Sequence, residues 1–399
     1  MLVGIVGKPS AGKSTLLNAL CLTDAKMGNY PFTTIKANRG VALVRVNCPC
    51  AGMEESCQPR SGKCIDGMRY VPVEMLDVAG LVPGASEGKG MGNQFLDDIR
   101  QADALIHVVD ASGTTDEEGN LVEDYDPSND IDWLNAELEA WINHILFEDW
   151  QKASRRLEQD PTKSMDLIVD RLTGLGATII KVKQAIRNAG LMGTNPREWD
   201  EEAQVKMTHE LRLILFPMVI AANKMDMTNA AKNIEKMISR FPDLAIIPTS
   251  GLAELTLRKA DEAGKIRYEL GSDTVNYLVD NPNEDKQTKI VQAIEQRLLK
   301  EKGSTGVTEL LEHAVFDLLK LIPVFPVENQ TKFTDHDGRI LPDVFLVPQG
   351  TTAKEFAGKI HSDLRDNFIN AILVTDNNKA ISADHVLKHG DIVKINAST

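Results

Sequence analysis

The stretch Leu2-Val3-Gly4-Ile5-Val6-Gly7-Lys8-Pro9-Ser10-Ala11-Gly12-Lys13-Ser14-Thr15 decides how this chain is read. Residues 2–6 form an apolar strand, and Ser14 to Lys26 carries Leu16, Leu17 and Leu20 at helical spacing. Between them, residues 7–14 fit G-x-x-x-x-G-K-[ST] without adjustment. Glycines at 7 and 12 let the backbone curl so that the loop's N–H groups face an anion, with Gly7, Pro9, Ser10, Ala11, Gly12, Lys13, Ser14 and Thr15 around it. The following helix presents its positive end to the same anion. Lys13 is placed to reach the β- and γ-phosphates of a nucleoside triphosphate, and the Ser14 hydroxyl to ligate Mg²⁺.

Working outward, Val41 to Val46 and Tyr70 to Leu76 read as strands able to pair as neighbours. Ala104 to Val109, Met218 to Ala222 and Leu244 to Ile247 are continuous apolar runs, the pattern of strands buried on both faces. Strands alternating with helices indicate a doubly wound α/β, mostly parallel sheet. Asn223-Lys224-Met225-Asp226 follows one such strand at its carboxyl end, where ligands bind in these folds. The Asp226 carboxylate can accept from the ring N–H and exocyclic amine of guanine, whereas adenine offers it an acceptor. An unpaired buried polar group costs about 1–3 kcal/mol, which selects GTP over ATP by about tenfold or more. Thr249-Ser250-Gly251, after the next strand, would bring backbone N–H groups to the guanine carbonyl.

Asp77-Val78-Ala79-Gly80 ends the strand Tyr70 to Leu76. Asp77 is expected to hold Mg²⁺ through water, and the Gly80 N–H to meet the γ-phosphate. Upstream, Asn29 to Ile35 lies where a first switch belongs. Thr34, or its neighbour Thr33, would ligate Mg²⁺ while the γ-phosphate orders the loop. Leu81 occupies the position where many GTPases carry a water-orienting glutamine. The glycine-rich stretch 83–92 supplies Glu87 and Lys89 as substitutes, unless it is simply a loop.

With 399 residues, 58 acids against 44 bases and a net charge of -14, the chain is a multidomain globular protein. An acidic total argues against broad, charge-driven wrapping of nucleic acid, DNA included, and leaves room for a local contact with a large ribonucleoprotein. No apolar window approaches the ~20 residues of a membrane span, and residues 1–6 are too short for a signal segment, so a cytoplasmic protein is expected.

The remaining segments are organised differently. Ile131, Leu134, Leu138, Trp141, Ile142, Ile145 and Leu146 carry helical periodicity. Residues 116–215 therefore read as a helical insertion, punctuated by Pro161, Gly174, Gly176, Gly190 and Pro196 into hairpins projecting from the sheet. It divides a nucleotide-binding domain of residues 1–115 and 216–320. After Leu321-Ile322-Pro323 the chain reads as a small β-rich module, 321–399, with one helix from Ala353 to Leu364. Cys48, Cys50, Cys57 and Cys64 fall in a loop spanning 48–69. Their spacing, C-x-C-x₆-C-x₆-C, admits a zinc site or a loop with incidental thiols.

N-Y-P-F-T-T-I at 29–35, D-V-A-G-L-V-P-G-A at 77–85 and G-N-Q-F-L-D-D-I-R at 92–100 resemble the Obg/YchF group of translation-factor-related P-loop GTPases. The likeness is greatest to the archaeal and eukaryotic YchF-related branch and covers nearly the whole chain. Residues Leu341 to Phe345 and Gly390 to Ile395 resemble a TGS domain, a ubiquitin-like β-grasp module. The resemblance implies GTP hydrolysis and association with ribosomes or RNA through the TGS domain and the insertion. The TGS-like tail could alternatively be a packing module. YchF proteins proper usually carry Glu in place of Asp226 and prefer ATP, so an ATPase is one alternative. A binding module merely stabilised by nucleotide is another. Ser10 stands where Obg-like loops usually have Asn, which bears on potassium activation. Some YchF-type relatives carry, near the position of Ser86, a histidine linked to hydrolysis; serine cannot shuttle a proton as imidazole does, which leaves the hydrolytic group unassigned.

Overall fold

The computed structural model describes residues 1–21, 38–78, 92–154 and 164–398; side chains at 92–94, 96 and 164 are not described. The chain divides into two compact units, Met1–Ala19 with Met75–Leu310, and Leu20–Glu74 with Leu311–Thr399.

The first unit is built on β1 (Leu2–Val6), α1 (Lys13–Cys21) and the end of a long strand whose counterparts are given below. Then come α2 (Gly92–Ile99), β5 (Ala104–Asp110) and the helices α3 (Ser128–Phe147), α4 (Trp150–Ser154), α5 (Ser164–Leu172), α6 (Ile179–Asn188) and α7 (Glu201–Leu215). The chain returns to the sheet as β6 (Met218–Asn223), α8 (Ala230–Arg240), β7 (Ile246–Pro248) and α9 (Gly251–Glu262). A small ribbon of β8 (Ile266–Arg267) and β9 (Asn276–Tyr277) precedes α10 (Lys286–Ile294), α11 (Lys300–Lys302) and α12 (Val307–Glu312).

β1 pairs in parallel with β5, β5 with β6, and β6 with β7. The register sets Val6 beside His107, Asp110 beside Asn223, and Ala222 beside Pro248. Parallel pairing therefore brings the carboxyl ends of these strands to one edge, with the loops starting at Gly7, Ala111, Lys224 and Thr249 side by side. All of β1, β5 and β6 is buried, as the continuous apolar runs required. β7 lies two residues later than the run Leu244 to Ile247, because Leu244 turns back on Phe241 to close the preceding helix.

The helices of this segment join the sheet in one continuous core. Leu134, Leu138, Ile142, Ile168, Val182 and Leu211 share one core with Leu2, Val109, Phe216 and Ile220. These helices bury their apolar faces mainly on one another, α3 and α6 each packing against α5 and α7.

In the second unit β2 (Arg39–Asn47) and β3 (Lys63–Ile65) both pair with β4 (Met68–Asp77), whose last residues enter the first unit. The loop expected over 48–69 is thus shorter than its span: it contains a 3₁₀ turn at Pro49–Gly52 and the strand β3. The C-terminal part comprises β10 (Leu321–Pro326), β11 (Phe345–Pro348), α13 (Ala353–Ile360), α14 (Ser362–Asp366), β12 (Phe368–Leu373), β13 (Lys379–Ile381) and β14 (Ile392–Ala397). Strand order is β11-β10-β14-β12-β13, with β10 parallel to β14 and the other pairs antiparallel. One helix crossing such a sheet is a β-grasp. Its core centres on Val324, Val347, Phe356, Ala371 and Val393. A capping box between Thr352 and Glu355 starts α13. The single helix expected over 353–364 is broken at His361, whose extended backbone (φ −159°) lets its ring accept from the Asp363 N–H and start a new turn.

Candidate functional site

The strand-end edge of the sheet gathers most of the residues singled out in the sequence. Gly7, Ser10 and Gly12 have φ of 144°, 61° and 100°, so the loop curls through the left-handed region at three places. Two of its glycines are also sterically fixed. A Cβ at Gly7 would lie 2.4 Å from the Val108 carbonyl oxygen, and one at Gly12 would lie 2.3 Å from the Asn223 side-chain nitrogen. Ala11 is covered, Pro9 is half-buried, Ser10 and Ser14 face solvent, and Lys13 and Thr15 are half-buried at the start of α1. The Lys13 ammonium donates to the Lys8 carbonyl at 2.8 Å. Burial lowers its pKa, and the Asp77 carboxylate opposes that shift. Asp77, half-buried at the end of β4, is raised by burial and held down by Lys13 in return. An ammonium and a carboxylate thus influence each other across this end of the sheet without a direct contact. A hydroxyl at 14 and a carboxylate at 77 are hard oxygen donors, which suits Mg²⁺.

Asn223 has a second task that its tetrapeptide did not reveal. Its amide nitrogen donates to the Ala11 carbonyl at 2.9 Å, and its amide oxygen accepts from the Gly251 N–H at 3.0 Å. One carboxamide thus ties the phosphate loop to the first turn of α9. Lys224 adopts φ 65° and its ammonium meets Asp110 at 2.8 Å. Asp110 also accepts from the Ser112 and Thr115 hydroxyls, and these bonds, Lys224 foremost, hold its carboxyl below the ordinary range against burial. Asp226 is exposed at the rim, on a turn fixed by the Met225 N–H to Thr249 carbonyl bond. Ser250 caps α9 by accepting from the Ala253 N–H, while its own N–H donates to the Thr305 carbonyl.

Several supporting residues were not legible in the sequence. Lys8 is buried, and its ammonium donates to the Thr115 carbonyl at 2.7 Å, pairs with Asp130 at 3.0 Å and lies 4.0 Å over the Tyr125 ring. Tyr125 in turn donates to Asp130 at 2.8 Å. The Ser304-Thr305-Gly306 turn braces the loop at 249–251: Gly306 has φ 74°, and a Cβ there would lie 1.9 Å from the Pro248 carbonyl oxygen. Thr305 and Tyr268 both donate to the buried Glu254. His107 in β5 is fully buried, and neither ring nitrogen has a hydrogen-bond partner among the described residues. Burial, aided by Lys13 and Lys8, depresses its pKa to about 3. A glycine inside a Ser-Thr-Gly turn and a histidine inside an apolar strand were the available signals.

Thr33, Thr34, Gly80, Leu81, Ser86, Glu87 and Lys89 lie outside the described residues.

A curled glycine loop between β1 and α1, with a second reading loop after β6 and a third after β7, defines a P-loop nucleotide-binding protein of the GTPase class. Family models agree along the chain. Residues 2–140 match a model described as 50S ribosome-binding GTPase, 221–329 one described as Obg-like GTPase YGR210-like, G4 motif-containing domain, and 332–397 the TGS domain. Uncharacterized GTP-binding protein MJ1332 of Methanocaldococcus jannaschii is 47% identical over 99% of this chain and 98% of its own length. A crystal structure titled GTP binding protein from Pyrococcus horikoshii OT3 superposes with a TM-score of 0.80 at 35% identity, covering 100% of both chains. Ribosome-binding ATPase YchF of Escherichia coli O157:H7 is 27% identical over 98% of this chain and 97% of its own length. The chain belongs to the YchF-related group of Obg-like P-loop GTPases, as its motifs indicated. Among the described residues no helix is long and apolar enough to cross a membrane.

Proposed function

We propose that this protein binds GTP with Mg²⁺, hydrolyses it to GDP and phosphate, and uses the two states as a switch on a ribosomal or RNA partner. The observation that carries the reading is the Asn223 carboxamide, which holds the phosphate loop and the base-side loop in one frame with Asp226 at the rim. In this reading Gly7, Pro9, Ser10, Ala11, Gly12 and Thr15 surround the phosphates. Lys13 offsets charge on the β- and γ-oxygens, and the Gly80 N–H meets the γ-phosphate. Ser14, Thr34 and Asp77 hold Mg²⁺, which supplies charge neutralisation at the transferred phosphoryl group. Asn223, Lys224, Asp226, Ser250 and Gly251 form the base side. The nucleotide-binding domain comprises 1–115 and 216–320, with the insertion 116–215 and the TGS domain 321–399 as the parts that meet the partner.

Preference for GTP rests on Asp226, since a carboxylate rewards two donors on one purine edge. Isothermal titration with GTP, GDP and ATP tests it: GTP and GDP should bind at least about tenfold more tightly than ATP. Asp226→Ala should erase that preference. ATP binding more tightly to the wild type overturns the assignment and favours the second reading, that of the bacterial relative named an ATPase. Phosphate release measured with and without chelator tests hydrolysis and its metal dependence. Co-sedimentation with ribosomes in GDP against a non-hydrolysable GTP analogue tests the switch, and equal binding in both states would remove it.

A further inference from the structure

We infer that Cys48, Cys50, Cys57 and Cys64 form a mononuclear tetrathiolate zinc site with Arg69 as its buried counter-charge. All four sulfur atoms lie within 4.8 Å of one another. The Cys48 and Cys57 sulfurs are 3.7 Å apart, and those of Cys50 and Cys64 are 3.6 Å apart. Thiolates bonded ~2.3 Å from zinc at the corners of a tetrahedron stand ~3.8 Å from each other. A disulfide would require ~2.05 Å. An iron–sulfur cluster, with its bridging sulfides, needs thiolates further apart than this group allows. The cysteines therefore surround a space the size of one metal ion.

The backbone is shaped to make that space. Cys48 and Cys50 flank the start of the 3₁₀ turn after β2, and Cys64 lies in β3. Asp66 and Gly67, with φ of 49° and 79°, form the tight Asp-Gly turn that joins β3 to β4. A Cβ at Gly67 would lie 2.6 Å from the Ala51 Cβ, so glycine lets the two turns close on each other. The Cys48 N–H donates to the Gly67 carbonyl at 2.8 Å across that contact. A surface cavity bordered by Cys50, Met53, Ser56, Cys57, Cys64 and Asp66 provides an entry path.

Arg69 is the independent observation. It stands opposite Cys64 in the β3–β4 register, is fully buried, and has no carboxylate partner among the described residues. Its guanidinium donates to the Cys57 sulfur at 3.4 Å and to the Leu341 and Pro342 carbonyls at 3.2 and 2.7 Å. A buried cation requires an anion. Four neutral thiols do not provide one, whereas zinc with four thiolates carries a net charge of −2. The same loop is bonded to the β-grasp part by the Gln58 and Arg60 N–H groups and by Arg60 with Asp335 and Asp343. A metal there would fix the loop that makes these contacts.

The test uses the full chain, purified under reducing conditions from zinc-containing medium. Elemental analysis should find one zinc per chain. Protein produced with cobalt should show the thiolate-to-cobalt charge-transfer band and the intense d–d bands of a tetrahedral tetrathiolate. Neither measurement depends on a variant. Cys57→Ser and Cys64→Ser should lose the metal while still binding GTP, which separates this site from the nucleotide site. Arg69→Lys should keep zinc, and Arg69→Met should weaken it by about 10–100-fold. Five freely titrating thiols, Cys21 included, with only traces of zinc would overturn the inference. So would two disulfides in place of metal, or a cobalt spectrum lacking thiolate bands.

Discussion

The Asn223 side chain and the Ala11 carbonyl are joined by a buried hydrogen bond of 2.9 Å that spans 212 residues of sequence. The same amide accepts from Gly251, so both its nitrogen and its oxygen are committed. A carboxamide offers a donor and an acceptor on one short planar group without titrating. Removing it leaves one buried carbonyl and one buried N–H unpaired, each costing about 1–3 kcal/mol. Asn223→Ala is expected to weaken GTP and GDP alike by at least about tenfold. Asn223→Asp, which retains only the acceptor, should lose a comparable amount. Calorimetric titration reads both, and unchanged affinity would show that the amide is not a brace.

Gly306 makes the same point from the opposite side of the base loop. Alanine there adds a Cβ 1.9 Å from the Pro248 carbonyl oxygen at a φ of 74°. The turn at 304–306 must shift, carrying the Thr305 carbonyl away from the Ser250 N–H. Left-handed strain alone costs on the order of 1–3 kcal/mol. Gly306→Ala should therefore lower both the melting temperature and nucleotide affinity, with saturating GDP restoring part of the loss in melting temperature. Wild-type affinity in this variant would rule the bracing role out.

Lys8 and Asp130 form a buried ion pair, so removing one partner differs from removing both. Lys8→Met leaves Asp130 buried without its cation, at a cost of about 3–5 kcal/mol. Pairing Lys8→Met with Asp130→Asn removes the stranded charge and should recover a substantial part of that loss. Urea unfolding of both single variants and the double gives the coupling; additive losses would mean that the pair is not energetically linked.

His107 ties stability to acidity. Its folded pKa of about 3 lies below its unfolded value of 6.5. The unfolded chain therefore binds a proton first as pH falls, and stability drains between pH 6.5 and 3, by about 1.4 kcal/mol per unit. The contribution is fully present above 6.5. Replacing the unpartnered ring with leucine removes this dependence. The stability of His107→Leu relative to wild type should rise steadily as pH is lowered from 7 to 5. A pH-independent difference would exclude His107 as an acid-sensitive group.

What the sequence disclosed and what it hid follow a physical division. The phosphate loop was legible because Gly7 and Gly12 answer local backbone demands, repeated wherever such a loop is built. Parallel strands were legible because burial on both faces leaves an unbroken apolar run. The TGS-like β-grasp was legible through its motif, although His361 interrupts the expected helix for a reason of local geometry. Lys8 gave no signal, since its partners Thr115 and Asp130 are more than a hundred residues away. The turn at Ser304 to Gly306 was silent for the same reason. The cysteine spacing alone left two readings open; the sulfur positions and a buried arginine distinguish them.

The anchorage of Lys8 has a mechanical consequence. Asp130 sits in the first turn of α3, a rod of twenty residues between β5 and β6. The second residue of the phosphate loop is therefore moored to the near end of that rod. A pull on the far end of α3 would reach the phosphate loop as tension, with no change in chemistry at either end.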